Sequence, residues 1–436
     1  MSELVATIDK LAFGGNGVCR INGKVCFVPF SCPGDEVRLS VTSGKRSYSL
    51  ARIVELLVPS LHRVAPPCPV FGRCGGCSWQ HIGYEQQLLA KQQILVDALW
   101  RSARVAAEHV QPVAAAPAPY GYRSRVQFKL HGSADNLRIG FYRSNSHLVE
   151  DVGSGCAIAL PIINTVLAAL RPVLALFPEV SAVPRISIDC AGQGVIAVIS
   201  YSGRDSKAAA AFFRQRRDEL TPLTGVFLDT GRTTLWHVYG DDQLSYALSG
   251  VSTEAQTCQL AYRPGGFSQV NREQNRTMLE IVRQMGGFQG DQQVLDLYCG
   301  NGNFSLPIAA EVAGITGIEE YPDSIAAAEA NRTLNGITNA EFICADAVVG
   351  LKQLVDSGRW FNTVILDPPR SGASEAVADL CRLKPERIIY ISCDPSTLAR
   401  DCGQFAQCGY HVCDCIPVDM FPQTYHLESV TLLQKQ

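Results

Sequence analysis

The chain has 436 residues, a length that predicts two or three domains rather than one core. Its 47% hydrophobic and 18% charged residues are typical of a folded globular protein and exclude a disordered chain. No basic-then-apolar N-terminal segment and no apolar run of membrane-spanning length is visible, so we expect neither a secreted nor a membrane protein. The net charge of −3 does not by itself predict nucleic-acid binding.

The seventeen cysteines are an odd number, which argues against a framework of disulfide bonds. Free thiols in such numbers are typical of a reducing compartment, where cysteines serve as reactive groups or metal ligands. We therefore expect a cytoplasmic protein with reduced thiols. Nothing in the sequence indicates an obligate protein partner.

The first sixty residues read as short strands separated by glycine turns. The turns fall at 14–17, 22–23 and 33–35, and the residues between them alternate without a helical period. This pattern predicts a small β-barrel over residues 1–60. Such barrels commonly bind oligonucleotides, although a fold alone does not establish that function.

Residues 61–262 predict a central α+β domain. A helix is expected near 83–104 and a linker near 114–122, followed by β-rich sequence with helices near 161–176 and 206–220.

A cysteine-rich loop begins this central domain. Cys68, Cys74 and Cys77 lie within ten residues, and Cys156 is a fourth candidate. Thiols gathered on a glycine-rich turn suit an iron–sulfur cluster or zinc, and plain structural thiols are a third interpretation.

Strand-like and helix-like segments alternate through residues 263–436, which predicts a doubly wound α/β sheet with an antiparallel edge. The first strand leads into a glycine loop, DLYCGNGNFSLP, at 296–307, and Glu319 ends the next strand. An acid at that place typically accepts hydrogen bonds from ribose hydroxyls. The loop has neither the dinucleotide-binding form nor a Walker lysine, so its spacing indicates S-adenosylmethionine.

Two further carboxylates follow later strands. Asp346 would face the adenine of that cofactor, although alone it reads equally well as a surface acid. Asp367 begins DPPRSG and would lie at the carboxyl end of a strand, where open α/β sheets bind ligands.

Cys393 ends the apolar run RIIYISC and precedes a helix start at Asp394, Pro395 and Ser396. A thiol at a helix N-terminus feels the positive end of the helix dipole, which favours the thiolate. A buried, inert cysteine is the alternative.

Five ordered motifs, spread over about 165 residues, resemble those of the RNA (uracil-5-)methyltransferase family. They are GFSQVN at 266–271, DLYCGNGNFSL at 296–306, DPPRSG at 367–372, YISCDPSTLARD at 390–401 and DMFPQTYHLESV at 419–430. The N-terminal region resembles the TRAM domain of the family's ribosomal branch, and the cysteine loop is similar to that branch's.

The resemblance implies a Rossmann-like domain that moves a methyl group from S-adenosylmethionine to C5 of a uridine. It implies that Cys393 is the nucleophile that adds to C6 and that Glu428 is the base that removes the C5 proton. Glu428 alone would read as an ordinary strand-edge carboxylate. The positions that match the cofactor-lining residues of the family are Gln269, Tyr298, Asn303, Glu319, Asp346 and Asp367. The target base must leave its stack to meet Cys393.

The ribosomal branch further implies a 4Fe–4S cluster on Cys68, Cys74, Cys77 and Cys156, and 23S rRNA as the substrate. Transfer RNA is the alternative, because DLYCGNGNFSL is closer to the transfer-RNA branch. Two other interpretations stay open: an amino-group methyltransferase acting on adenine or guanine through Asp-Pro-Pro, and an RNA-binding protein without activity.

Overall fold

A computed structural model describes residues 4–231, 234–249 and 257–435. Its N-terminal strands form a six-stranded sheet in the order β1-β5-β6-β4-β3-β2. They are β1 Leu4–Thr7, β2 Lys10–Leu11, β3 Gly17–Ile21, β4 Lys24–Val28, β5 Glu36–Gly44 and β6 Tyr48–Val58. Ile8 N donates to Asp35 O and Asp9 N donates to Val18 O, so one segment joins both edges of the sheet. The predicted small barrel is therefore confirmed.

A second sheet has seven strands in the order β13-β12-β11-β10-β7-β8-β9 and is covered by two helices. Its elements are β7 Arg125–His131, β8 Arg138–Tyr142, β9 Val149–Asp151, α2 Pro161–Ala175, β10 Arg185–Ala191, β11 Gly194–Ser200, α3 Ser206–Gln215, β12 Gly225–Asp229 and β13 Trp236–Gly240. A two-stranded sheet, β14 Leu244–Ser249 and β15 Thr257–Tyr262, follows. Helix α1, Tyr84–Ala103, precedes all of these.

The C-terminal sheet has the order β18-β17-β16-β19-β20-β22-β21. Its elements are α4 Arg272–Gly286, β16 Gln293–Leu297, α5 Ser305–Ile308, β17 Gly314–Glu319, α6 Pro322–Leu334, β18 Ala340–Cys344, α7 Ala347–Asp356, β19 Thr363–Leu366, α8 Val377–Leu383, β20 Arg387–Ser392, α9 Pro395–Gln407, β21 Tyr410–Val418 and β22 Glu428–Lys435. Strands β16 to β20 are parallel, whereas β22 runs antiparallel to both β20 and β21. The strand order reverses at β16, which makes the carboxyl ends of β16 and β19 the expected ligand crevice.

Short 3-10 helices connect some of these elements. They span Ala107–His109, Ala134–Asn136, Val180–Ala182, Arg217–Leu220 and Ala309–Glu311.

Helix α1 packs on α9 of the C-terminal domain, although the sequence places it in the central domain. Its Leu95 and Leu99 are buried with Leu398 and Phe405 of α9 in one hydrophobic cluster. The segment after α1 then runs along β21, because Gln111 N donates to Cys415 O at 2.9 Å. Ala114 N, at the start of the predicted linker, donates to Pro417 O at 2.8 Å, so this end of the linker also lies along the sheet edge.

One disulfide joins Cys381 of α8 to Cys408 at the end of α9, with the Cα atoms 6.0 Å apart. The expectation of reduced thiols is wrong for this pair, because two neighbouring helices bring the residues within the usual span of a disulfide. The other fifteen cysteines are free.

None of the helices in the described ranges combines the length and apolarity that crossing a membrane requires.

Candidate active site

Cys393 and Glu428 lie side by side at one edge of the C-terminal sheet. Ser392, the last residue of β20, pairs with Ser429 of the antiparallel strand β22. Continued by one residue, this register would set Cys393 opposite Glu428, and the charge of Glu428 acts on the Cys393 thiol. The final antiparallel strand thus brings its first residue to the edge where the parallel strands end.

Cys393 is half-buried immediately before helix α9. Asp394 caps that helix, since its Oδ1 accepts from Ser396 N at 2.8 Å and Thr397 N at 3.2 Å. Burial raises the pKa of the thiol to about 12, and the negative charges of Glu428 and Asp367 add to that effect, whereas Arg370 opposes it. The expectation that the helix terminus favours a thiolate is therefore wrong for the ligand-free protein, because burial and two carboxyls outweigh the dipole.

Two carboxyl groups with raised pKa values lie near the thiol. Burial raises the pKa of Glu428 to about 8, with a further rise from Asp367, whereas Arg370 and Lys91 lower it. Burial and then Asp296 raise the pKa of Asp367 to about 7. Carboxyls that titrate near neutral pH can take up or release protons during a reaction.

The glycine loop after β16 has the strained backbone of a ligand-binding turn. Tyr298 has φ +66° and its amide donates to Ile318 O at 2.9 Å. At Gly302, where φ is +86°, an added Cβ would lie 2.7 Å from Leu306 Cδ1. Only glycine fits there without displacing the Leu306 side chain of α5.

Glu319, at the end of β17, holds this loop in place. Its Oε2 accepts from Gly300 N at 3.1 Å, and its Oε1 accepts from Tyr321 N at 3.0 Å. Each oxygen keeps a second lone pair, so the carboxylate can still accept from a ligand.

The other predicted cofactor residues have varied surroundings. Asn303 is enclosed by protein, since its Oδ1 accepts from Tyr246 Oη at 3.1 Å and from Asn275 Nδ2 at 2.8 Å. Asp346 is exposed and caps α7, whereas Gln269 is half-buried in the segment between β15 and α4. A cofactor contact by each of these residues stays a prediction.

Arg370, Asp296 and Lys91 were not predicted from the sequence as site residues. Arg370 lies within DPPRSG, so its motif carried a signal. Asp296 begins the glycine motif, but only its burial and its hydrogen bond from Ser305 mark it as unusual. Lys91 lies on a helix distant in sequence, and no local pattern connects it to the site.

Cys68, Cys74, Cys77 and Cys156 all line one cavity of about 260 Å³. Burial raises the pKa of Cys77 to about 12 and that of Cys74 to about 11. No group of three or more His, Cys, Asp or Glu side chains within the described ranges is arranged to hold a metal ion. The four thiols surround a space rather than a single point.

Comparison with known proteins identifies two matching family models. Residues 244–436 match the tRNA (uracil-5-)-methyltransferase model, and residues 4–61 match the TRAM domain of tRNA (uracil(54)-C(5))-methyltransferase.

Full-length relatives match as well. The 23S rRNA (uracil(1939)-C(5))-methyltransferase RlmD of Haemophilus parainfluenzae is 35% identical over 99% of this chain and 97% of its own length. The RlmD of Pseudomonas aeruginosa strain PAO1 is 33% identical over 98% of this chain and 93% of its own. An uncharacterised RNA methyltransferase of Thermosynechococcus vestitus is 34% identical over 98% and 96%.

A solved structure has the same fold. It is the Pyrococcus abyssi tRNA (uracil-54, C5)-methyltransferase in complex with S-adenosyl-L-homocysteine, which matches with a TM-score of 0.74 and 22% identity. The match covers 98% of this chain and 99% of that one. The expected Rossmann-like domain with an N-terminal TRAM-like barrel is therefore confirmed.

Proposed function

Because the chain belongs to the RNA (uracil-5-)methyltransferase family, we propose that it methylates C5 of a uridine in 23S rRNA with S-adenosylmethionine as the methyl donor. The observation that carries this proposal is the pairing of Ser392 with Ser429, which brings Cys393 and Glu428 next to each other. A nucleophile and a base on adjacent strands can act on neighbouring atoms of one planar ring.

The reaction begins at Cys393. Its thiolate adds to C6 of the uracil, and the C5=C6 electrons move to C5 as an enolate. C5 then attacks the methyl carbon, the methyl–sulfonium bond breaks, and its electron pair stays on the departing sulfur. Arg370 is the protein cation that favours the thiolate against burial.

Glu428 completes the reaction. Its carboxylate takes the proton from the methylated C5, the C5=C6 double bond re-forms, and the Cys393–C6 bond breaks to release the thiolate. The raised pKa of about 8 suits this role, because a base that titrates near the working pH can both accept and release a proton.

The cofactor residues in this proposal are Gln269, Tyr298, Asn303, Glu319, Asp346 and Asp367. Support comes from the position of Tyr298 and Glu319 around the glycine loop at the topological switch point. Asp367, after β19, would lie between the cofactor and the uracil.

We further propose that the barrel of residues 1–60 contacts the RNA, and that residues 61–262 and 263–436 form the central and catalytic domains. The full-length RlmD relatives favour 23S rRNA. Transfer RNA is the second candidate, since the model matched at residues 244–436 is named for it.

Cys68, Cys74, Cys77 and Cys156 would hold a 4Fe–4S cluster. Thiolates on a single zinc lie within about 4 Å of one another, because each Zn–S bond is about 2.3 Å. A cluster instead takes one thiolate at each iron, which suits four thiols that surround a cavity. The cluster would order the loop that these cysteines share, since no step above requires an electron.

The mechanism is tested with RNA that carries 5-fluorouridine at the target. Fluorine cannot leave as a proton, so we expect a stable covalent adduct at Cys393 that mass spectrometry locates. Cys393→Ala should form no adduct and no product. Full methylation by Cys393→Ala would instead support amino-group transfer to adenine or guanine.

Substrate and cluster have separate tests. Labelled cofactor should enter the 23S rRNA pool and not the transfer-RNA pool, and the reverse result would identify the second candidate. Anaerobically purified protein should be brown and contain iron. Colourless protein loaded with zinc would contradict the cluster.

A further inference from the structure

The turn that precedes Glu428 is held by helix α1. We call residues 419–427, between β21 and β22, the base turn. Lys91 of α1 forms an ion pair with Asp419 at its start, Nζ to Oδ1 2.5 Å, and both side chains are 0% exposed. Lys91 Nζ also donates to Phe421 O at 3.1 Å.

Gln87, one helical turn before Lys91, forms hydrogen bonds with the middle of the base turn. Its Nε2 donates to Gln423 Oε1 and its Oε1 accepts from Gln423 N, each at 3.0 Å. Gln423 has φ +68°, a left-handed conformation that glutamine rarely adopts. The two side chains share one face of α1, because residues four apart are neighbours on a helix.

A buried ion pair is a weak way to stabilise a fold, since an apolar pair of similar volume is often as stable or more so. Stability of the fold therefore does not by itself explain the buried Lys91–Asp419 ion pair. The Lys91 charge also acts on Glu428, whose pKa it lowers against the effects of burial and Asp367.

We propose that Lys91 and Gln87 are positioning residues for Glu428: their contacts fix the base turn that leads into Glu428, and the Lys91 ammonium favours the carboxylate form that removes the proton. This inference rests on the proposed function of Glu428. The titratable or charged groups around Lys91 and Glu428 are Asp367, Arg370, Cys393, Asp419 and His426, with the Tyr84 hydroxyl of α1 beside Asp419.

The test isolates elimination from thiol addition. The methylated covalent adduct is first formed rapidly on ordinary uridine RNA, and its decay is then followed at several pH values. Because the sulfur of Cys393 is already bonded to C6 in the adduct, ionisation of Cys393 does not affect the decay. Lys91→Met combined with Asp419→Asn removes both charges and avoids leaving one buried and unpaired. We expect the apparent pKa of adduct decay to rise by about one unit, and the decay below that pKa to slow about tenfold.

Two single variants separate charge from geometry. Asp419→Asn removes the anion that keeps the buried Lys91 protonated, so it should shift the apparent pKa of decay upward, in the same direction as the double variant. Gln87→Leu keeps both charges and loosens the turn, so decay should slow at every pH while the apparent pKa stays unchanged. Lys352→Met, at an exposed lysine of α7, should behave as the unaltered protein.

Glu428→Gln distinguishes the failure of the proposed mechanism from the failure of the proposed positioning role. If its adduct decays normally, Glu428 is not the base and the proposed mechanism fails. If Glu428→Gln traps the adduct but the folded Lys91→Met/Asp419→Asn protein keeps the original pH profile, the positioning role of Lys91 is wrong while the mechanism stands.

Discussion

At the scale of single residues, the reaction needs two groups in the ionised form that burial disfavours. The pKa of Cys393 is raised to about 12 and that of Glu428 to about 8. Both groups must lose a proton, so we expect kcat/KM for RNA to rise continuously from pH 6 to pH 9, because this ratio reports ionisations of the free enzyme. Initial rates of methyl incorporation measure it, and a maximum below pH 7 would contradict the assignment.

The ionisation of Asp367 affects the free energy of unfolding. Its pKa is raised from 3.8 to about 7, so its contribution to stability is fully present below pH 3.8 and is lost as the pH rises through about 7. Asp367→Asn should therefore raise the free energy of unfolding by about 1–2 kcal/mol at pH 8 and leave it nearly unchanged at pH 4, while activity falls. Urea denaturation at both pH values measures this.

Asp291→Asn, at an exposed aspartate, is the matched control for Asp367→Asn. It should change stability little at either pH. An equal gain from Asp367→Asn at pH 4 and pH 8 would show that ionisation is not the cause.

At the scale of elements, the sequence predicted the features that depend only on neighbouring residues in the chain. The glycine loop, the strand end before Cys393 and the cap at Asp394 are written in consecutive residues, and the structure has them. The contact of α1 with the base turn joins Lys91 to Asp419, residues 328 positions apart, and no period or motif encodes it. The thiolate expected for Cys393 failed for a related reason, because the burial of the thiol and the nearby carboxyls of Glu428 and Asp367 depend on other strands of the sheet.

The glycine loop offers a prediction of its own. An added Cβ at Gly302 would lie 2.7 Å from Leu306 Cδ1, whereas at Gly300 it meets nothing within 4 Å. Gly302→Ala should therefore weaken binding of S-adenosylhomocysteine at least tenfold. Both positions have positive φ, so Gly300→Ala shares the backbone strain without the clash and is the matched control.

Calorimetric titration of S-adenosylhomocysteine measures both loop variants. Equal weakening by Gly300→Ala and Gly302→Ala would assign the effect to backbone strain. Unchanged binding in Gly302→Ala would show that the Leu306 side chain moves away from the added methyl group.

At the scale of the whole molecule, the base turn is connected through the segment after Cys77 to the N-terminal barrel. Ser78 N and Trp79 N, directly after Cys77, donate to Gln423 O at 3.1 and 3.0 Å. Trp79 Nε1 donates to Gly15 O at 3.0 Å in the barrel. The barrel, the cysteine loop and the catalytic sheet are therefore joined within two residues of Cys77, a thiol that lines the proposed cluster cavity.

This connection predicts that the cysteine loop supports catalysis without taking part in the chemistry. Cys77→Ser should loosen the loop, release the two donors to Gln423 and raise hydrogen exchange across residues 419–427 as well as 68–80. Methyl transfer should slow severalfold, because Glu428 directly follows the loosened turn, whereas Cys344→Ser, at an exposed cysteine, should change neither. Hydrogen exchange measured by mass spectrometry tests this prediction. Faster exchange confined to residues 68–80, with unchanged turnover, would mean that the cysteine loop does not affect the base turn.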